Sequence, residues 1–259
     1  MFQGRRGWVP MAAIAAGAGC LALSACGSSS GAASSGAASS ASSGAASSAS
    51  TADPLAGLSA AKIGAEATAN AVAAATLTIN GTITQSGQTQ TIDDLGIKRG
   101  VGCAGTIGVG SKGSFKLILI GSTVYINPDK QFWTANAGSD ASAVIALING
   151  RYLKTTTSDK NMTGIGDLCE VHKLLTSAHT TDTKEEAVTT LGGIRVLPLK
   201  VSDGSTDYVT DTSSPQFVEA TSPKGSANGS GKITIAVNTP VTVAAPPASQ
   251  VIDGSQVGF

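Results

Sequence analysis

The sequence predicts an α+β domain: a curved antiparallel sheet with a few helices, one of them covering its concave face. Three observations predict it. Apolar residues alternate with polar ones over many short segments, tight Gly/Ser/Asp turns separate those segments, and one alanine-rich run precedes the first of them.

The elements follow in chain order. Residues 54–75 (PLAGLSAAKIGAEATANAVAAA) are mostly alanine, the best helix former, and Ser59 is placed to cap a helix there. In 76–85 (TLTINGTITQ) the alternation puts Leu77, Ile79 and Ile83 on one face, and a Ser86-Gly87 turn leads into 88–98, which is hairpin grammar. Short strands are predicted at 104–109, 114–120 and 122–126, the last two joined tightly at Gly121-Ser122. Residues 140–149 predict a short helix ended by Gly150. Residues 166–177 predict another, with Leu168, Val171, Leu174 and Leu175 as its apolar face.

Strand grammar resumes at 194–202, 206–211, 215–222 and 232–238, with a turn at Asp203-Gly204. Short loops favour spatial neighbours that are also sequence neighbours, so these strands are expected to run antiparallel. Pro198 cannot donate a ladder hydrogen bond, which places the strand at 194–202 at an edge or a bulge.

The chain upstream of the domain reads differently. Arg5 and Arg6 precede an apolar stretch at 8–23 that is too short and too rich in Gly and Ala for a spanning helix of ~20 residues. Leu23-Ser24-Ala25-Cys26 follows, the pattern at which an exported precursor is cut and its new terminal cysteine fatty-acylated, palmitate being among the acyl groups. Residues 1–25 are therefore expected to be a lipoprotein signal peptide. Residues 26–53 would be the lipidated Cys26 and a flexible tether, and 54–259 the folded domain. The tether is almost purely Gly, Ala and Ser and gives a reach of roughly 25 to 30 Å. Acyl chains on Cys26 would hold the protein on the outer face of the cell membrane.

Charge and cysteine content limit the function classes. The precursor carries 17 basic and 17 acidic residues, and the loss of Arg5 and Arg6 leaves the mature chain slightly acidic. There is no basic footprint for nucleic acid. Cys20 leaves with the signal, so Cys103 and Cys169 remain in a compartment that permits disulfides. Pairing is the simplest reading and two free buried thiols the alternative. Cys169, His172 and His179 could share a helical face, yet they are not a metal-ligand set with structural-zinc spacing. No metal and no cofactor are expected.

Several motifs match by accident of composition. Gly108, Gly110 and Gly113 spell a dinucleotide fingerprint, but a strand pattern follows where a phosphate-binding helix is required. Gly27, Ser29 and Gly31 mimic a nucleophile elbow within the tether. Gly231-Lys232 lacks the rest of a P-loop, and the adjacent acids Asp93-Asp94 and Glu185-Glu186 fit turns or solvated faces better than paired acid/base chemistry. No catalytic constellation remains, so no enzyme is expected.

The Cys26 signal and Ala/Ser tether, SAAKIGAEA in the first helix, GCAGTIGVGSKGSFKLILIGSTVYINPDKQFW at 102–133, GRYLK at 150–154, DLC at 167–169 and TPVTVAAPPASQVID at 239–253 resemble actinobacterial lipoproteins related to the mycobacterial LppX/LprG group. The resemblance implies a half-barrel, an antiparallel sheet wrapped around helices as in the carriers LolA and LolB. It also implies an apolar cavity that shields the acyl chains of a lipid or lipoglycan in transit.

Residues predicted to line such a cavity are Leu77, Ile79, Ile83, Leu117, Leu119, Val124, Ile126, Ile233 and Ile235, which ordinary core packing would explain equally. The ligand is expected between the helix at 59–75 and the sheet, with Ala69 among the helix alanines facing it. The two functions in play are a lipid-binding or lipid-transfer lipoprotein of the envelope and a non-enzymatic interaction module with a solid core.

Overall fold

Ser59 opens the first helix, α1 (Ala60–Ala73), its hydroxyl accepting the Lys62 N–H at 3.4 Å. The structure, a computed structural model, describes residues 53–162, 164–175, 183–226 and 229–257. The signal, Cys26, the tether and His179 lie outside those residues. Ala60, Ile63, Gly64, Ala67 and Ala71 are buried, a stripe spaced three and four residues apart that faces the sheet. Ala69, expected on that stripe, is exposed. The large side chain of Ile63 sets the phase, and position 69 falls on the opposite side of a 3.6-residue turn.

The strands are β1 (Thr76–Gln85), β2 (Gln88–Lys98), β3 (Gly102–Val109), β4 (Ser114–Ile120), β5 (Thr123–Pro128), β6 (Tyr152–Thr156), β7 (Lys184–Glu185), β8 (Thr189–Leu191), β9 (Ile194–Lys200), β10 (Thr206–Thr210), β11 (Phe217–Ser222), β12 (Ser230–Val237) and β13 (Val251–Asp253). Among the described residues they form one open, curved sheet in the order β13-β6-β5-β4-β3-β2-β1-β12-β11-β10-β9-β7, with β8 beside β7 on β9. Three further helices are α2 (Lys130–Asn136), α3 (Ala141–Ile148) and α4 (Val171–Leu175).

Local chemistry explains the turns. Ser86 (φ 51°) and Gly87 (φ 74°) are both left-handed, the two-residue hairpin turn whose twist matches the strands it joins. In β2 the register shifts at Asp93-Asp94, where Asp94 is left-handed (φ 49°) and donates its N–H to Asn80 Oδ1 at 2.7 Å. This bulge resets the alternation, so Leu95 and Ile97 join the buried face after Ile92. The adjacent acids thus make a bulge, consistent with a structural role.

Two expectations need correction. The sheet is mixed, because β13 pairs with β6 in parallel. Residues 239–250 carry the chain from β12 past β1 and β2, where Thr239 bonds Thr76 and Thr78 and Val241 meets Gly96, to the far edge; a parallel pair needs such a crossover. The helix at 166–177 is not continuous. A 3-10 turn (Gly166–Cys169) is separated from α4 by Glu170, which is extended at φ −101°, ψ 97°. In addition, the stretch 130–136, for which no element was predicted, forms α2, capped by Asp129 through the Phe132 N–H at 2.6 Å.

Pro198 lies in β9 between the part paired with β8 and the part paired with β7. Its carbonyl accepts the Glu186 N–H at 3.0 Å on that outer side. Nitrogen and oxygen of one strand residue point the same way, so the missing N–H falls in the gap between two short edge strands.

One hydrophobic core joins α1, both halves of the sheet, α2 and the 162–175 segment. Among the described residues no helix is long and apolar enough to cross a membrane.

Candidate ligand cleft at the end of the sheet

The space between α1 and the sheet is filled by side chains. Of the predicted lining residues, Leu77, Ile79, Leu117, Leu119, Val124, Ile126 and Ile235 are buried members of the core. Ile83 and Ile233 are half-buried toward the other end of the β1–β12 pair. Small residues on α1 therefore permit close approach of helix to sheet, and the expected cavity beneath α1 is occupied by packing.

The open space lies elsewhere, in a cleft of about 650 Å³ at the C-terminal end of α1. Its walls converge from six chain segments: the end of α1, the start of β1, the β2–β3 turn, the β4–β5 turn, Thr157 after β6 and the 162–172 segment. Buried Leu77, Ile97, Leu119 and Met162, with half-buried Val72 and Val171, make an apolar floor. Exposed Lys98, Arg99, Asp167, Glu170 and His172 surround the mouth. Only Leu77 and Leu119 of the predicted lining residues contribute.

A disulfide fixes one wall. Cys103 on β3 is fully buried and bonded to Cys169 in the 3-10 turn, with the Cα atoms 5.4 Å apart. It ties the cleft wall at 164–172 to the middle of the sheet.

The opposite wall is held by backbone bonds. Arg99 N–H donates to Ala75 O at 3.1 Å, Val101 N–H to Lys98 O at 3.0 Å and Gly121 N–H to Val101 O at 3.3 Å. Gly102 (φ 148°) passes so close to the Leu119 carbonyl that no β-carbon fits there. The volume falls within the 300 to 1,000 Å³ range of small-molecule sites. Among the described residues no group of three or more His, Cys, Asp or Glu side chains is gathered as for a metal ion.

Two charged groups escaped the sequence reading. Asp207 on β10 is buried on the core face, opposite Leu199 and Ala220. Burial, with the nearby Asp203 charge adding to it, pushes its carboxyl up to about 7. The signal was its sharing a strand face with Val209. Glu219, also buried, pairs with Lys232 at 2.6 Å in a smaller groove of about 370 Å³ on the outer face, walled by Leu191, Ile194 and Val218.

No family model matches the chain, and no curated protein matches its sequence. Among solved structures, the crystal structure of LprF from Mycobacterium bovis aligns over 73% of this chain and 97% of that chain, at 11% identity and a TM-score of 0.46. A likeness of that degree carries no statement about ligand or partner.

Proposed function

We propose that this chain is a non-enzymatic envelope lipoprotein of the LppX/LprG kind, anchored through acylated Cys26, that holds an acyl-bearing lipid or lipoglycan in the cleft at the end of the sheet. The observation that supports the reading is the cleft itself, whose volume of about 650 Å³ combines an apolar floor with a polar mouth. Such a shape removes an acyl chain from water while leaving a headgroup hydrated. The tether and the Leu23-Ser24-Ala25-Cys26 motif support the reading, since acylation there would hold the domain beside a membrane, the source of such ligands.

The test is mass spectrometry of organic extracts from protein purified out of its native host. A near-stoichiometric acyl compound is expected, and replacement of Cys26 by Ala should abolish anchoring without abolishing the bound compound. Extracts free of any acyl ligand would sink the reading. A second reading, an interaction module with a solid core, is favoured by one observation: the concave face beneath α1 is close-packed. It expects an empty extract and a protein partner on the sheet surface.

A further inference from the structure

The cleft mouth is asymmetric in its charge pairing. Asp167 and Glu170 each already have a partner. Lys98 and Arg99 line the same mouth, and among the described residues neither makes an ion pair or a side-chain hydrogen bond. Their turn is held in place at the backbone, by the Arg99 N–H to Ala75 O and the Val101 N–H to Lys98 O. The turn that carries the two cations therefore stands at a fixed position on the rim of the cleft. Beside them Val101 is 36% exposed, extending the apolar surface to the rim.

Resting on the cleft reading above, we infer that the site selects amphiphiles whose headgroup is anionic, with Lys98 and Arg99 taking the head and the floor at Leu77, Ile97 and Leu119 taking the acyl chain. Two long, flexible cations at an exposed rim gain little from each other and repel by like charge. A phosphate or carboxylate between them relieves that repulsion and accepts their hydrogen bonds. A neutral headgroup gains neither. The partnered acids opposite restrict the favourable position to the β2–β3 side of the mouth.

The experiment uses the mature protein, a pyrene-labelled phosphatidylglycerol and the matching diacylglycerol, which lacks the phosphate, with affinities read by fluorescence at low and high salt. The wild type should prefer phosphatidylglycerol by roughly tenfold at low salt, and the preference should shrink as salt screens the exposed charges. Lys98→Gln with Arg99→Gln should erase the preference by lowering phosphatidylglycerol affinity to that of the diacylglycerol. Lys98→Glu with Arg99→Glu should invert it. Equal binding of both lipids by the wild type, or a preference that survives in the double glutamine variant, overturns this inference and leaves the cleft reading standing. Binding of neither lipid overturns both.

Discussion

Val241 lies against the bare Cα of Gly96, so that a β-carbon built at Gly96 would come within 2.7 Å of Val241 Cγ1. Gly96 pairs with Thr78 and Ala104 on the outer face of the sheet, and its φ lies outside the left-handed region. The glycine is thus required by contact and not by backbone conformation.

Gly96→Val should therefore destabilise the fold by about 1 to 3 kcal/mol through overpacking under the 239–250 segment. Urea unfolding measures the loss. Adding Val241→Ala should recover much of it in a double-mutant cycle, since the two positions are in direct contact. Strict additivity of the two changes would show that the contact is not made.

The Asp207 carboxyl sets a pH dependence. Its folded-state value is raised to about 7 by burial first and Asp203 second, above the ordinary 3.8 of the unfolded chain. The folded protein then holds a proton that the unfolded chain has released, so stability falls as pH rises from about 4 to about 7. The full penalty, on the order of 4 kcal/mol, is reached above that window. Asp207→Asn should flatten this part of the stability–pH curve and raise the melting temperature at pH 8. An unchanged slope in the variant would assign the dependence to another group.

The disulfide closes a separation of 66 residues. By chain entropy it contributes about 4 kcal/mol, so Cys103→Ser with Cys169→Ser should lower the unfolding free energy by that order. Non-reducing peptide mapping checks the pairing itself. Because the bond holds the cleft wall at 164–172, the double variant should also lose acyl ligand faster than the wild type. Unaltered ligand release would separate the disulfide from the site.

Volume distinguishes packed face from open cleft. Ala67→Trp forces bulk into the closed α1–sheet contact, where Ala67 is fully buried, and should cost at least about 1 to 3 kcal/mol. Val72→Trp, five residues further along α1 and half-buried on the cleft, should be nearly neutral for stability and should block acyl binding. Thermal melts and ligand titration of the two variants give opposite patterns.

Much of the sheet was legible because alternation and turn residues agree: Ser86-Gly87 and the strands beginning at Thr76 and Ser114 occur where their patterns place them. The bulge had a signal as well, since Ile92 and Leu95 lie on opposite parities of one strand and only an extra residue reunites them on one face. The phase of α1 was carried by Ile63 alone, a weak marker among alanines. The parallel pairing of β13 was not legible, because it depends on where an extended segment without alternation crosses the sheet. The cleft was the least legible feature. Val72, Ile97, Leu119, Met162 and Val171 are brought together by strand ends and 3-10 turns, and no sequence period connects them.

The location of the ligand is tested most directly by photo-crosslinking with a fatty acid carrying a diazirine near its terminal methyl, followed by peptide mapping. Adducts are predicted on the floor of the cleft, in the peptides containing Val72, Ile97, Leu119 and Met162. Adducts confined to the outer groove around Ile194 and Val218, or no adducts at all, would contradict the account.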